Sequence, residues 1–296
     1  MANVLPREKQ IEIIAALTEG CSIRSVERLT GVHRDTIMRL GVRVGQGCER
    51  LHDATMRNLS VSRIEMDEAW SYVGKKQRLV KPEDGREVGD QYIFLAMDVT
   101  GKAILSYRVG KRDAGNTHAF VMDVRERVLG APDISTDAFK GYRTAIDEAF
   151  GLDCHYGIIE KHYKMEPAKE AARRYSPGYV VAVSTRQVVG APDQISTSYI
   201  ERQNLSLRMG QRRMTRLTNG FSKKLENHIA AVGLYVAHYN LCRVHEALRI
   251  TPAMQLGVTD HIWTIGELVD AALDGVVEEQ VARRVGRFGV IDGGLS

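Results

Sequence analysis

The sequence predicts an α/β protein in which a small all-α module precedes a mixed sheet flanked by helices. Three observations point there. Apolar residues recur at helical spacing up to about residue 55, the period changes to that of strands from about residue 61, and helical and strand patterns alternate beyond residue 117. The chain has 296 residues, 44% of them apolar, enough to bury one large core and a smaller one. The expected boundaries are 1–58 for the helical module, 60–256 for the sheet domain and 257–296 for an acidic, helical C-terminal tail.

Within the first module Ile11, Ile14, Ala15 and Leu17 form one apolar face, and Ile23, Val26 and Leu29 form a second. Ile37, Leu40, Val44, Cys48 and Leu51 form a third, again at helical spacing. Gly31, between the second and third faces, suits the tight turn of a helix-turn-helix, and His33 or Asp35 suits the cap of the helix that follows. That third helix then exposes Arg34, Thr36, Arg39 and Arg43, residue types that fit phosphates and base edges in a major groove. The competing reading is a packing module without a ligand. Gly41, Gly45 and Gly47 each cost a helix about 1 kcal/mol, which predicts that its later half is broken or bent.

In the sheet domain, 61–72, 92–98 and 103–109 read as strands, the last two joined by a hairpin at Thr100-Gly101. The charged stretch 75–89, with Pro82, is a loop. A helix at 117–128, a strand at 133–136, a helix at 140–150 and strands near 155–160 and 179–184 follow. Asp67 comes after Ile64 and Met66 on the first strand, and Asp137 ends the strand 133–136. A carboxylate carried into an apolar layer costs several kcal/mol unless it is paired or binds a cation, so both are candidate metal ligands. Asp98 also ends a strand, but its place before the hairpin suits a backbone-bonding turn residue.

Glu201 opens a further helix on which Asn204, Leu205 and Arg208 share its face, three, four and seven positions along. A carboxylate able to complete a metal shell and a guanidinium able to grip phosphate thus point the same way. Arg212 and Arg216 extend that stripe only if the helix continues past Gly210.

The net charge is +4, but residues 201–224 hold seven Lys/Arg against one acid, which suits phosphate contact as well as a solvated face. The segment from 256 onward holds seven acids against three arginines, suiting contact with protein rather than nucleic acid. Cys21, Cys48, Cys154 and Cys242 have no metal or disulfide spacing and read as reduced thiols. His118, His155, His162, His238 and His245 likewise fit no metal cluster, and His245 is read as contacting DNA or bracing the site. The longest uncharged apolar run, 229–237, is too short to span a bilayer, and the N-terminus lacks a signal peptide's apolar core. The expected location is cytoplasmic and nucleoid-associated, without a membrane partner.

Taken together, MDEAW, MDVTGKAILSY, STDAFKGY, SYIERQNLSLR and YNLCRVHEALRITPA resemble bacterial insertion-sequence transposases with a DDE catalytic domain of ribonuclease H fold, most closely the insertion-sequence-one type, which implies a mixed five-stranded sheet flanked by helices. The resemblance spans roughly 60–260. It implies Asp67, Asp137 and Glu201 as the catalytic and metal-binding triad, with Asp67 bridging, and Arg208 as the basic residue of the glutamate helix. Tyr239, Asn240, Arg243, His245, Thr251 and Pro252 match the C-terminal signature, and Asn204, Asn240 and His245 are taken as supporting residues. It further implies two Mg²⁺ ions, with Mn²⁺ as a substitute, and phosphoryl transfer without a covalent enzyme intermediate. Its partners are the element's terminal inverted repeats, target DNA and further copies of the chain in a homo-oligomer.

Glu201 follows Asp137 by 64 positions, longer than usual in that family, which implies an insertion near 161–195. No cysteine set exists here for the zinc finger that some members carry before the helix-turn-helix. The expected DNA contacts are therefore Arg34, Thr36, Arg39, Arg43, Arg208 and Arg212. Two rival functions remain beside the transposase: a DNA-binding regulator with an inactive catalytic domain, and a structure-selective nuclease of the same fold.

Overall fold

The computed structural model describes residues 5–164, 179–215 and 218–274. Three helices open the chain: α1 (Arg7–Thr18), α2 (Ile23–Thr30) and α3 (Arg34–Thr55). The Ser22 hydroxyl caps α2 by accepting from the Ser25 N–H at 3.1 Å, and Gly31 ends it in the left-handed conformation, φ 72°. His33 caps α3 through Nδ1, which accepts from the Asp35 N–H at 3.3 Å. On α1 the buried face is centred on Ile13 and Ile14, one position off the predicted one, whereas Ile37, Leu40, Val44, Cys48 and Leu51 are all buried as expected.

The predicted break in α3 is absent. The helix is continuous for 22 residues because its glycines serve packing. A Cβ on Gly45 would overlap the Ala230 carbonyl, and one on Gly47 the Ala272 carbonyl. Their absence lets α7 (Leu225–Ala237) and α9 (Ile265–Asp274) lie backbone against backbone on α3. The helical core accordingly joins Ile14, Ile37 and Val44 to Leu234 of α7 and to Leu268 and Val269 of α9. Arg7 of α1 forms an ion pair with Asp270, so residues 265–274 of the expected tail pack onto the N-terminal helices. Residues 275–296 lie outside the described part.

A short parallel pair, β1 (Leu59–Ser60) and β5 (Val128–Leu129), flanks the main sheet. That sheet is mixed and has six strands rather than five, in the order β4-β3-β2-β6-β7-β8. β2 (Arg63–Val73), β3 (Gly89–Asp98) and β4 (Ile104–Gly110) form an antiparallel meander. β6 (Asp133–Asp137) and β7 (His155–Lys164) add in parallel to β2, and β8 (Tyr179–Val189) pairs antiparallel with β7. The sixth strand is built from the expected insertion, whose described parts lengthen the sheet; 165–178 lie outside the described residues.

Alternation along β2 divides the core. Ile64 and Met66 face α4 (Ala114–Arg127) and α5 (Lys140–Phe150), with Phe120, Val124 and Tyr142 beneath them. Ala69 faces α6 (Ser198–Gly210) and α7, with Ile200, Leu207 and Val232. Asp98 is a turn residue: its carboxylate accepts from the Thr100 N–H at 3.2 Å and the Gly101 N–H at 2.6 Å.

After α7 the chain winds into a π-turn, His238–Cys242. This wider turn aims Asn240 at β4, where its amide accepts from Ile104 N–H at 3.0 Å and donates to Ile104 C=O at 2.8 Å. Tyr239 donates to the Lys102 carbonyl at 2.9 Å, Thr251 caps α8 (Pro252–Gln255), and Pro252 occupies its first turn. In this protein the C-terminal signature therefore clamps the β3–β4 hairpin. His245 stays in the 243–250 loop, its Nδ1 accepting from Ala247 N–H at 3.3 Å, and neither it nor Asn240 lines the cleft described next.

Candidate metal and phosphate site

The β2–β6 ladder ends where Met66 pairs with Thr136. Asp67 and Glu68 are the next two residues of β2, and Asp137 is the last of β6. Past the end of the ladder no β6 strand separates the two faces of β2. Side chains from both faces can therefore reach the same point, and oxygens of Asp67, Glu68 and Asp137 lie within 4.8 Å of one another. Sequence alternation assigns Glu68 to the opposite face from Asp67, which is why it was missed.

Asp67 accepts from the Asn204 side-chain amide at 2.9 Å. Burial raises its carboxyl to about 6, and the charges of Asp137 and Glu201 add to that while the hydrogen bonds oppose it. Burial likewise pushes Glu68 to about 7, against the pull of Arg112. The Arg112 Nη2 lies 3.2 Å from Glu68 Oε2 and 3.6 Å from Asp137 Oδ2, and its guanidinium stacks on Phe139 at 4.0 Å. Asp137 is held from its other side by the Phe139 N–H at 2.9 Å. Arg112 carried no local signal either, since it falls just before Asp113, the cap of α4.

The third motif acid arrives on α6. Fully buried Glu65, two residues before Asp67, accepts the N–H groups of Tyr199 at 2.8 Å and Ile200 at 3.0 Å. A carboxylate from β2 thus satisfies the start of α6 and fixes that helix against it. Asn204 and Arg208 line the same cleft as Glu201, as their spacing predicts, while Leu205 is exposed. The Glu201 carboxylate is turned aside: it pairs closely with Lys161 of β7 and accepts from the Thr197 hydroxyl at 2.6 Å. All three motif carboxylates line one cleft of about 770 Å³, but Glu201 stands apart from the 4.8 Å cluster.

The donor set fits a hard divalent cation, being entirely oxygen. Two of its buried atoms, Glu68 Oε1 and Asn204 Oδ1, make no hydrogen bond of normal length within the protein, with the Tyr142 hydroxyl beside Glu68. Asp67, Asp137, Glu68 and Asn204 are the residues placed to hold such an ion.

The helix-turn-helix residues sit elsewhere. Arg34, Arg39 and Arg43 are exposed on α3, with Thr36 half-buried beside them. α6 ends at Gly210, so Arg212 leaves the predicted stripe and lies on a 3-10 turn, Arg212–Met214. There it lines a separate groove of about 540 Å³ with Arg24, Met38, Phe221 and Lys223. Arg216 lies outside the described residues. Among the described residues no helix is long and apolar enough to cross a membrane.

No protein-family model matches the sequence, and neither does any curated protein. Among solved structures the chain is similar to a piggyBac transposase synaptic complex with hairpin DNA, with a TM-score of 0.38 and 9% identity, covering 94% of this chain and 72% of that one.

Proposed function

We propose that this chain is a DDE transposase with a ribonuclease H-like catalytic domain that binds the ends of a mobile element and cuts and joins DNA there. One observation carries the reading: Asp67, Asp137 and Glu201, from three motifs far apart in sequence, line a single cleft with Arg208 and Lys161. The sheet's antiparallel meander followed by parallel strands supports the fold assignment.

Asp67 and Asp137 would hold Mg²⁺ or Mn²⁺, and Glu201, once released from Lys161, would complete the set; a divalent cation there would supply Lewis-acid activation of the attacking oxygen and stabilisation of the leaving one. Asn204 orients Asp67 through its amide, and Glu65 sets the position of Glu201 by holding the start of α6. Arg208 and the released Lys161 bind phosphate oxygens and align the scissile bond. The exposed arginines of α3 read the terminal repeat, and a homo-oligomer brings two ends together.

The test is cleavage and joining of matched element-end DNA by Asp67→Asn, Asp137→Asn and Glu201→Gln, each expected to lose both steps while still binding DNA. Normal metal-dependent cleavage by any of them refutes its assignment. Preferential cutting of branched DNA by the native chain would instead favour a structure-selective nuclease. Arg208→Ala is expected to weaken DNA binding and flatten its salt dependence.

A further inference from the structure

We infer that Glu68 is a fourth carboxylate of the cation site, and that Arg112 is its resident counter-ion, displaced when a divalent cation binds. The inference rests on the metal-dependent reading above. Its geometry is local and specific. One nitrogen, Arg112 Nη2, stands between Glu68 Oε2 at 3.2 Å and Asp137 Oδ2 at 3.6 Å, so it bridges carboxylates from two strands as a metal ion would.

The Glu68 side chain is only 2% exposed, and its Oε1 makes no hydrogen bond of normal length, its remaining neighbour being the buried Tyr142 hydroxyl. A purely structural ion pair at that depth is expected to satisfy both oxygens, because a buried charge left half-solvated is costly. One oxygen of Glu68 converges with oxygens of Asp67 and Asp137, all within 4.8 Å of one another. A second buried oxygen, Asn204 Oδ1, lies on the other flank of Asp67, whose carboxylate the same amide holds at 2.9 Å. Together they present one carboxylate oxygen and one carbonyl oxygen without a hydrogen bond of normal length, the first with the Tyr142 hydroxyl as its neighbour.

Arg112 is suited to leave. Its side chain is 35% exposed and reaches the cleft, while its guanidinium rests on Phe139 at 4.0 Å and near Tyr92 at 5.7 Å. Without a metal it supplies one positive charge to a cluster of three acids. A divalent ion supplies two at direct ligand distance and repels the guanidinium, so the two cations compete for Glu68 and Asp137. Arginine in this place thus sets the threshold for metal loading.

The experiment uses the full chain without DNA and titrates Mn²⁺, following the free-ion electron paramagnetic resonance signal, with circular dichroism confirming that each variant is folded. Native protein should bind Mn²⁺. Glu68→Gln is expected to weaken binding about 10-fold, and Arg112→Gln to tighten it several-fold. Should Glu68→Gln fail to fold, Glu68→Asp serves, with the same expected direction because the shorter acid withdraws the ligand. Native affinity in the folded Glu68 variant, or weaker binding in Arg112→Gln, overturns the proposal. Asp67→Asn separates it from the broader reading: if this variant binds Mn²⁺ like the native chain, or if the native chain binds none, the metal site itself is refuted and Glu68 with it. If Asp67→Asn loses binding and Glu68→Gln does not, only the fourth-ligand assignment falls.

Discussion

Gly45 on α3 gives a test in which two physical effects oppose each other. Replacing an interior helical glycine by alanine gains about 1 kcal/mol from helix propensity. Here, however, the new Cβ would overlap the Ala230 carbonyl and lie 2.8 Å from the Ala230 Cβ on α7. These neighbours are backbone and a methyl group, so relief requires moving the helix. Overpacking of this kind costs roughly 1–3 kcal/mol and more where backbone must shift, which outweighs the gain. Gly47→Ala meets Ala272 on α9 in the same way. The two glycines lie two residues apart on α3, so a shift that relieves one contact changes the other and their costs should not simply add. Gly41→Ala is the control, since its Cβ would meet only the flexible Leu17 Cδ1 at 3.3 Å and should be neutral or stabilising. Urea unfolding at fixed m reads all three as shifts of midpoint. Gly45→Ala or Gly47→Ala as stable as the native chain would show that these helices do not cross backbone to backbone, and the account of a continuous α3 would fail with it.

Glu65→Ala strips two N–H groups of α6 of their acceptor and should cost about 2–4 kcal/mol in urea unfolding; loss below 1 kcal/mol would remove it as the anchor of the glutamate helix. Asn240→Ala leaves both Ile104 backbone groups unpaired, with a similar cost, yet should leave Mn²⁺ affinity unchanged because Asn240 lies outside the cleft. Fully buried His228 bridges Ser71 and Ser222 at 2.9 Å each, and burial lowers its imidazole from 6.5 to about 4. Because the folded value is the depressed one, its contribution is complete above pH 6.5 and falls as the unfolded chain takes up the proton. The stability advantage of the native chain over His228→Gln should therefore shrink by about 2 kcal/mol between pH 7 and pH 5, and a pH-independent difference would refute the neutral, bridging imidazole.

What the sequence made legible follows from the range of each signal. Helix and strand periods are local, and they placed β2, β3, β4, α4 and β6 within a few residues and α5, Lys140–Phe150, at both ends, but gave no element at α7 or α8. The two aspartates were legible for the same reason: an acid ending an apolar strand is anomalous without any knowledge of its neighbours. Gly45 and Gly47 were misread because helix propensity describes an isolated helix, whereas their role is set by Ala230 and Ala272, 185 and 225 positions away. Arg112 and Lys161 were invisible for the equivalent reason, since each belongs to the site only through strands that meet in the folded sheet.

Glu68 marks where the local rule itself stops holding. Alternation separates adjacent side chains only while the strand has a partner on each side to keep its two faces apart. β6 stops at Asp137, and its pairing with β2 ends at Met66, so Glu68 enters from the α5 face while Asp67 enters from the α6 face. The shortness of β6 therefore does two things at once. It opens the edge of β2 into the cleft, and it turns a dipeptide that would otherwise straddle the sheet into two groups facing the same point. A longer β6 would close the cleft and separate the acids, so the end of that five-residue strand, rather than any one carboxylate, determines that a site exists there.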